Sequence, residues 1–113
     1  MIKKHFMCTH TWAGENARKD FLHQYKDLTD RQLFEAIKTE EAELLAHWMG
    51  REDFFYCHWY ATDGEAIFEA LERLGFNDIM ISMPNEMQRV VSAGAIADEG
   101  MVNRDEVEHK LNS

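Results

Sequence analysis

The chain has 113 residues and a formal net charge of −9, from 21 acidic and 12 basic residues. This length fits a single domain, and an apolar content of 45% with one proline and six glycines indicates a folded globular chain rather than a disordered one. The acidic balance excludes nucleic acid as the expected partner, because a phosphate backbone would be repelled.

The sequence shows no signal for export or membrane insertion. Its beginning, MIKKHFMCTH, lacks the apolar run of a secretory signal, and no window holds the roughly 18 apolar residues that span a bilayer. We therefore expect a soluble, cytoplasmic protein without a membrane partner. The two cysteines, Cys8 and Cys57, are then expected to be reduced thiols.

The first third of the chain predicts one strand and two helices. Side chains alternate in character over residues 3–12, which is typical of a strand. A first helix is predicted over residues 17–26, with Asn16 as its cap. A second begins at Thr29, where the spacing to Gln32 is that of a capping box.

The middle of the chain predicts a hairpin, a helix and a last strand. Residues 43–49 and 53–61 are rich in β-forming side chains and are separated by a short turn. Asp63 caps a helix that ends before Gly75, and residues 78–83 form the last strand. The resulting βαββαβ order predicts an α+β, ferredoxin-like sandwich with a four-stranded antiparallel sheet in the order 4-1-3-2.

The ferredoxin-like domain is expected to cover residues 1–91. Residues 92–113 are expected to form a C-terminal extension with a short helix that carries Val107 and Leu111. Because so short a helix buries little surface alone, we expect it to pack on its own domain or on a partner subunit.

Side-chain alternation assigns each strand residue to one of two faces. The helix-covered face is expected to contain Phe6, Cys8, Leu45, Phe55, Cys57, Trp59, Ile79 and Ile81. The opposite face is expected to contain Met7, Thr9, Leu44, Ala46, Trp48, Phe54, Tyr56, His58, Tyr60, Met80 and Ser82. Such an apolar and aromatic surface would be a large exposed patch on a monomer, so the pattern predicts a homodimer that buries it.

The order of elements and the run FFYCHWYATDGEA at residues 54–66 resemble the dimeric α/β barrel superfamily. The resemblance covers about residues 3–91. It implies two ferredoxin-like protomers that face each other sheet to sheet around a cavity. It also implies a range of activities, which includes cofactor-free monooxygenases, lactone isomerases, haem-handling enzymes and nickel-binding proteins.

The expected cavity would bind a small hydrophobic or amphipathic molecule, such as a fatty acid-like, quinone-like or aromatic compound. This molecule would lie between the two sheets or between sheet and helices, without a further cofactor. Its expected contacts are Met7, Thr9, Trp48, Tyr56, His58, Tyr60 and Met80. His58 is the candidate catalytic residue, as a polar anchor or general base, and the alternative is a half-buried interface histidine.

Two other functions fit the same sequence. His10 and His47 share the helix-side parity and are the candidate ligands of a metal, although a site there needs a further ligand from elsewhere. The chain could also be a purely structural or interaction module. Phosphate-binding glycine loops and a nucleophile elbow do not occur, so the sequence indicates neither nucleotide binding nor serine catalysis.

Overall fold

Strands and helices follow one another in the order βααββαβ, with two helices in the first connection. The computed structural model describes residues 2–96 and 98. The strands are β1 (Lys4–Trp12), β2 (Ala42–Met49), β3 (Phe54–Ala61) and β4 (Met80–Met87). The helices are α1 (Ala17–Gln24), α2 (Asp30–Ile37) and α3 (Gly64–Glu72), followed by a 3-10 turn over Phe76–Asp78. The predicted α+β, βαββαβ architecture is confirmed.

The four strands form one open antiparallel sheet in the order β2-β3-β1-β4. This is the predicted order, with β1 and β3 in the middle. The helices cover one face, where α3 buries Ala66, Ile67, Ala70 and Leu71 at helical spacing. Their burial, with that of Trp59 beneath them, forms the core, and each large apolar side chain contributes about 1.5–3 kcal/mol.

Local capping explains where the helices begin. At α2, the Thr29 hydroxyl accepts from the Gln32 backbone N–H at 3.1 Å, and the Gln32 side chain accepts from the Thr29 N–H at 2.9 Å. At α3, the Asp63 carboxylate accepts from the Ala66 N–H at 2.8 Å. Asn16 precedes α1, but its side chain makes no capping hydrogen bond, so that part of the prediction was wrong.

A β-bulge in β2 reverses the predicted faces of two leucines. The pairing with β3 shifts between Leu44 and Ala46, which leaves Leu45 as the extra residue. Leu44 is therefore buried beneath the helices, whereas Leu45 is 41% exposed, and the predicted faces of both were wrong. Beyond the bulge the alternation is restored, so that Ala46 and Trp48 lie on the predicted face.

The predicted faces of Met80, Ile81 and Ser82 in β4 were reversed, whereas Ile79, just before the strand, packs against the core as predicted. Met80 and Ser82 lie on the helix-covered face, and Ile81 points to the opposite side. The reason is the register with β1, in which Ser82 lies opposite the buried His10. The chain enters β4 through the 3-10 turn at Phe76–Asp78, which the sequence pattern did not indicate.

The C-terminal helix predicted from Val107 and Leu111 lies outside the described residues, and the proposed domain boundary at residue 91 stays a prediction. Within residues 2–96 and 98, no helix is long and apolar enough to cross a membrane.

Candidate functional site

The sheet face that the helices leave uncovered is rich in apolar and aromatic side chains. We call it the open face, and its paired positions are His5, Met7, Thr9, Thr11, Glu43, Ala46, Trp48, Phe54, Tyr56, His58, Tyr60, Ile81, Met83, Asn85 and Met87. Five large side chains on it remain 41% to 55% exposed: Trp48, Phe54, Tyr56, Ile81 and Met83. Histidines aside, Glu43 is the only charged residue among these positions, and it pairs with Lys38 at 3.9 Å.

Six of the seven predicted ligand contacts lie on the open face. The register aligns Thr9, Tyr56 and Trp48 in one row across three strands. Met7 and His58 lie opposite each other in the next row, and Tyr60 follows along β3. These side chains therefore share one surface, and their role as ligand contacts stays a prediction.

Met80 is the exception among the predicted contacts. It is 5% exposed and belongs to the buried core on the helix-covered side. Its predicted place on the open face was wrong because β4 has the opposite alternation. Met83, which lies opposite Thr9, occupies the position on β4 that the prediction assigned to Met80.

His58 forms a hydrogen-bonded pair with His5. The Nδ1 atom of His5 lies 2.9 Å from the Nε2 atom of His58. The His5 ring also packs against Tyr60, with 4.9 Å between ring centroids. Sequence reasoning missed this pair, although His5 has the same parity as Met7, because it depends on the diagonal register between β1 and β3.

The histidine pair has a defined electrostatic character. A hydrogen bond between two ring nitrogens requires one donor and one acceptor, so one imidazole presents a bare nitrogen to the other. Partial burial, and then the neighbouring His5, lower the pKa of His58 below its usual value of 6.5. His58 is therefore mainly neutral at pH 7, and its Nδ1 atom can donate to or accept from a ligand.

The two predicted metal ligands, His10 and His47, lie on the helix-covered face and line the same small cavity beneath the helices, but they have different direct partners. His10 bonds to Ser82, and the ring of His47 lies 5.7 Å from that of Phe34. In the described part of the chain, no group of three His, Cys, Asp or Glu side chains is placed to hold a metal ion.

The two cysteines are directly opposite each other on β1 and β3. Burial raises the pKa of the Cys8 thiol to about 12. The pKa of Cys57 is also raised to about 12, first by burial and then by Cys8. Both are free thiols rather than thiolates at neutral pH, so neither is activated as a nucleophile.

A cavity of about 60 Å³ lies between the sheet and the helices, on the other side of the sheet from the open face. His10, which lines it, is 0% exposed and stacks on Phe55 with 4.8 Å between ring centroids. Its Nδ1 atom lies 2.7 Å from the Ser82 hydroxyl, and burial lowers its pKa to about 4. The imidazole of His10 is therefore neutral at pH 7.

A wider groove of about 720 Å³ lies where the loop after β1 meets the hairpin turn. Glu15, Glu52 and Asp53 line it together with Arg18, whose Nη2 atom donates to the Gly50 carbonyl at 3.4 Å. With three carboxylates to one guanidinium, this groove is unfavourable for an anionic ligand.

Comparison of the chain with protein-family models, with curated proteins and with solved structures finds no match. The resemblance to the dimeric α/β barrel superfamily therefore stays a prediction. The two candidate binding sites lie on opposite sides of the sheet and are the open face and the cavity beneath the helices.

Proposed function

We propose that the chain forms a homodimer through the open face and that the dimer binds a small hydrophobic or amphipathic molecule between its two sheets. The observation that carries this proposal is the composition of the open face. Charged residues make up 29% of the chain, yet Glu43 is the only carboxylate among the paired positions of this face. Charge depletion with exposed aromatic side chains is typical of the centre of a protein interface.

The size of the open face suits a second copy of the chain. Four strands about 4.8 Å apart and about eight residues long cover roughly 500 Å², so two such faces would bury about 1,000 Å². That area is at the lower limit of a stable interface. Because each copy carries a net charge of −9, two copies repel each other elsewhere on their surfaces. The open face allows close approach without bringing many carboxylates together.

The histidine pair supplies a polar anchor within this apolar surface. His5 and His58 lie among Met7, Tyr60 and Tyr56, which would form the walls of the space between the sheets. Apolar walls with a few hydrogen-bonding groups favour an organic molecule that ends in a carbonyl, carboxyl or hydroxyl group. If the ligand has an acidic C–H bond, neutral His58 is the base that would take its proton, as in a cofactor-free oxygenase or isomerase.

A matched pair of lysine substitutions tests the interface. Tyr56, on the open face, and Leu22, on α1, are each 41% exposed. Tyr56→Lys should convert the dimer into a monomer in sedimentation velocity, because it places a charge at the centre of the interface. Leu22→Lys should remain dimeric, and both variants should keep the far-UV circular dichroism of the wild type. A dimeric Tyr56→Lys protein would contradict the proposed interface.

Extraction of bound molecules from untagged protein tests whether the chain carries an organic ligand. Denaturation of the gently purified dimer should release an organic molecule detectable by mass spectrometry. His58→Ala should reduce its occupancy, because the polar anchor is removed, and Tyr56→Phe should test the phenol hydroxyl alone. A dimer that releases nothing and that binds no fatty acid or quinone would support an interaction module instead.

The proposed cytoplasmic location implies that both cysteines are reduced thiols. Cys8 and Cys57 are both free and lie opposite each other within the core side of the sheet. Denaturation without reductant in the presence of an alkylating reagent should therefore add two alkyl groups per chain, counted by mass spectrometry.

A further inference from the structure

We propose a second binding site, in the cavity between the sheet and the helices, for a small neutral organic molecule that carries a hydrogen-bond acceptor such as a carbonyl oxygen. This site lies on the opposite side of the sheet from the proposed dimer interface. It is formed by one protomer alone, so it does not depend on dimerisation.

Two buried polar atoms among the cavity residues carry the inference. His10 and Trp59 both line the cavity, and both are 0% exposed. Four buried side-chain nitrogen atoms in the described residues have no hydrogen-bond partner, and two of them, Nε2 of His10 and Nε1 of Trp59, belong to residues that line this cavity. Buried polar groups are nearly always paired in folded proteins, so two such atoms around one cavity indicate that an occupant completes them.

The chemistry of these atoms defines the occupant. The indole of Trp59 only donates, so the occupant must offer an acceptor. The Nδ1 atom of His10 is held by the Ser82 hydroxyl, which can either donate or accept, so Nε2 can adapt to the ligand. The described lining contains no lysine, arginine, aspartate or glutamate, and an ionised ligand would therefore be poorly solvated.

The size and walls of the cavity favour a compact molecule. At about 15 Å³ for each water, a cavity of about 60 Å³ has room for about four water molecules or a small organic group. Phe21, Leu33, Ile37 and Leu71 supply apolar walls from the three helices. A short ketone or an alcohol matches this combination better than a cluster of water does, because most of the wall offers no hydrogen bond.

The helices that cover the cavity provide a route of entry. In the described part of the chain, α1 buries none of its residues, and α2 buries Ile37 alone. Phe21 of α1 is held by ring contacts with Trp12 and Phe76, at 5.4 Å in each case. Elements with so little buried surface open locally at low cost, so a ligand can enter beside α1 and α2.

Nuclear magnetic resonance of the full-length, ¹⁵N-labelled protein tests the site with a pair of probes. Acetone and isobutene have the same shape and four heavy atoms each, and they differ only in the carbonyl oxygen. Acetone should shift the indole N–H resonance of Trp59 and the Nε2 resonance of His10 in a saturable way. Its affinity should exceed that of isobutene about tenfold, because only the ketone can accept from the buried donors.

Two variants make the result decisive. Cys57 lines the cavity, so Cys57→Leu should fill it and abolish acetone binding while the protein stays folded. Tyr56→Lys, on the open face, should keep full acetone binding even as a monomer, which separates this site from the proposed interface. Equal affinity for both probes, no saturable shift, or unchanged binding by a folded Cys57→Leu protein would overturn the proposal.

Discussion

The burial of His10 makes the stability of the fold depend on pH. In the unfolded chain this imidazole takes up a proton near pH 6.5, whereas burial lowers its pKa in the folded protein to about 4. Between these values the unfolded state binds more protons, so the free energy of unfolding falls as the pH falls. A pKa difference of about 2.5, at about 1.4 kcal/mol for each pKa unit, corresponds to a loss of about 3 kcal/mol.

Urea unfolding followed by circular dichroism, at intervals from pH 7 to pH 4 and at fixed protein concentration, measures this loss. His10→Phe removes the titrating group and retains an aromatic ring beside Phe55. The variant should be less stable at pH 7, by about 1 kcal/mol, because the bond to Ser82 is lost. Between pH 6.5 and pH 4 it should lose about 3 kcal/mol less than the wild type.

A second histidine substitution serves as the control. His47→Phe makes the same change of side chain on the same face of the sheet, where His47 packs against Phe34 rather than bonding to Ser82, and it controls for the substitution itself. Identical pH profiles for the wild type and His10→Phe would refute the reasoning, as would a directly measured pKa near 6.5 for His10.

Three further substitutions test the local interactions that hold the fold, each by its free energy of unfolding. Ser82→Ala should cost about 1–2 kcal/mol, since it removes the partner of His10 Nδ1, whereas Ser82→Thr, which keeps the hydroxyl, should cost less. Gly75→Ala should cost about 1 kcal/mol because φ is 73° there, and an effect no larger than that of Gly14→Ala would contradict this. Asp63→Ala should cost about 1 kcal/mol through loss of the α3 cap, and Asp63→Asn should restore most of it.

Sequence signals formed by residues close together along the chain predicted the fold well. The capping box at Thr29, the cap at Asp63 and the hairpin between β2 and β3 are local in sequence, and all three are confirmed. The strand order follows from the sequence of elements alone, because few topologies join them without crossing. These features needed no knowledge of long-range packing.

The faces of the strands were harder to predict, because one extra residue reverses the assigned face of every strand residue on one side of it. One extra residue at Leu45 reversed the beginning of β2, and the assigned faces in β4 were reversed after a turn that the sequence pattern did not indicate. In β1 and β3, which contain no bulge, the alternation placed Met7 and His58 on the correct face. The errors therefore arose where backbone irregularities leave little trace in sequence.

The features of the two candidate sites that sequence reasoning missed depend on long-range packing. The His5–His58 pair exists because the two residues are diagonal neighbours on adjacent strands. The unpaired atoms of His10 and Trp59 become visible only when the helices are packed over the sheet. Each residue alone is an ordinary strand residue, so no pattern along the chain distinguishes it.

Native mass spectrometry of untagged, full-length wild-type protein tests the central claim most directly, because it reports the subunit number and any bound molecule together. The proposed function predicts a species of twice the 13.3 kDa chain mass with an additional small organic mass. Raising the ionic strength should increase the dimer fraction, since salt screens the repulsion between two acidic chains. A species of single-chain mass under all conditions would contradict the homodimer and the ligand site between its sheets.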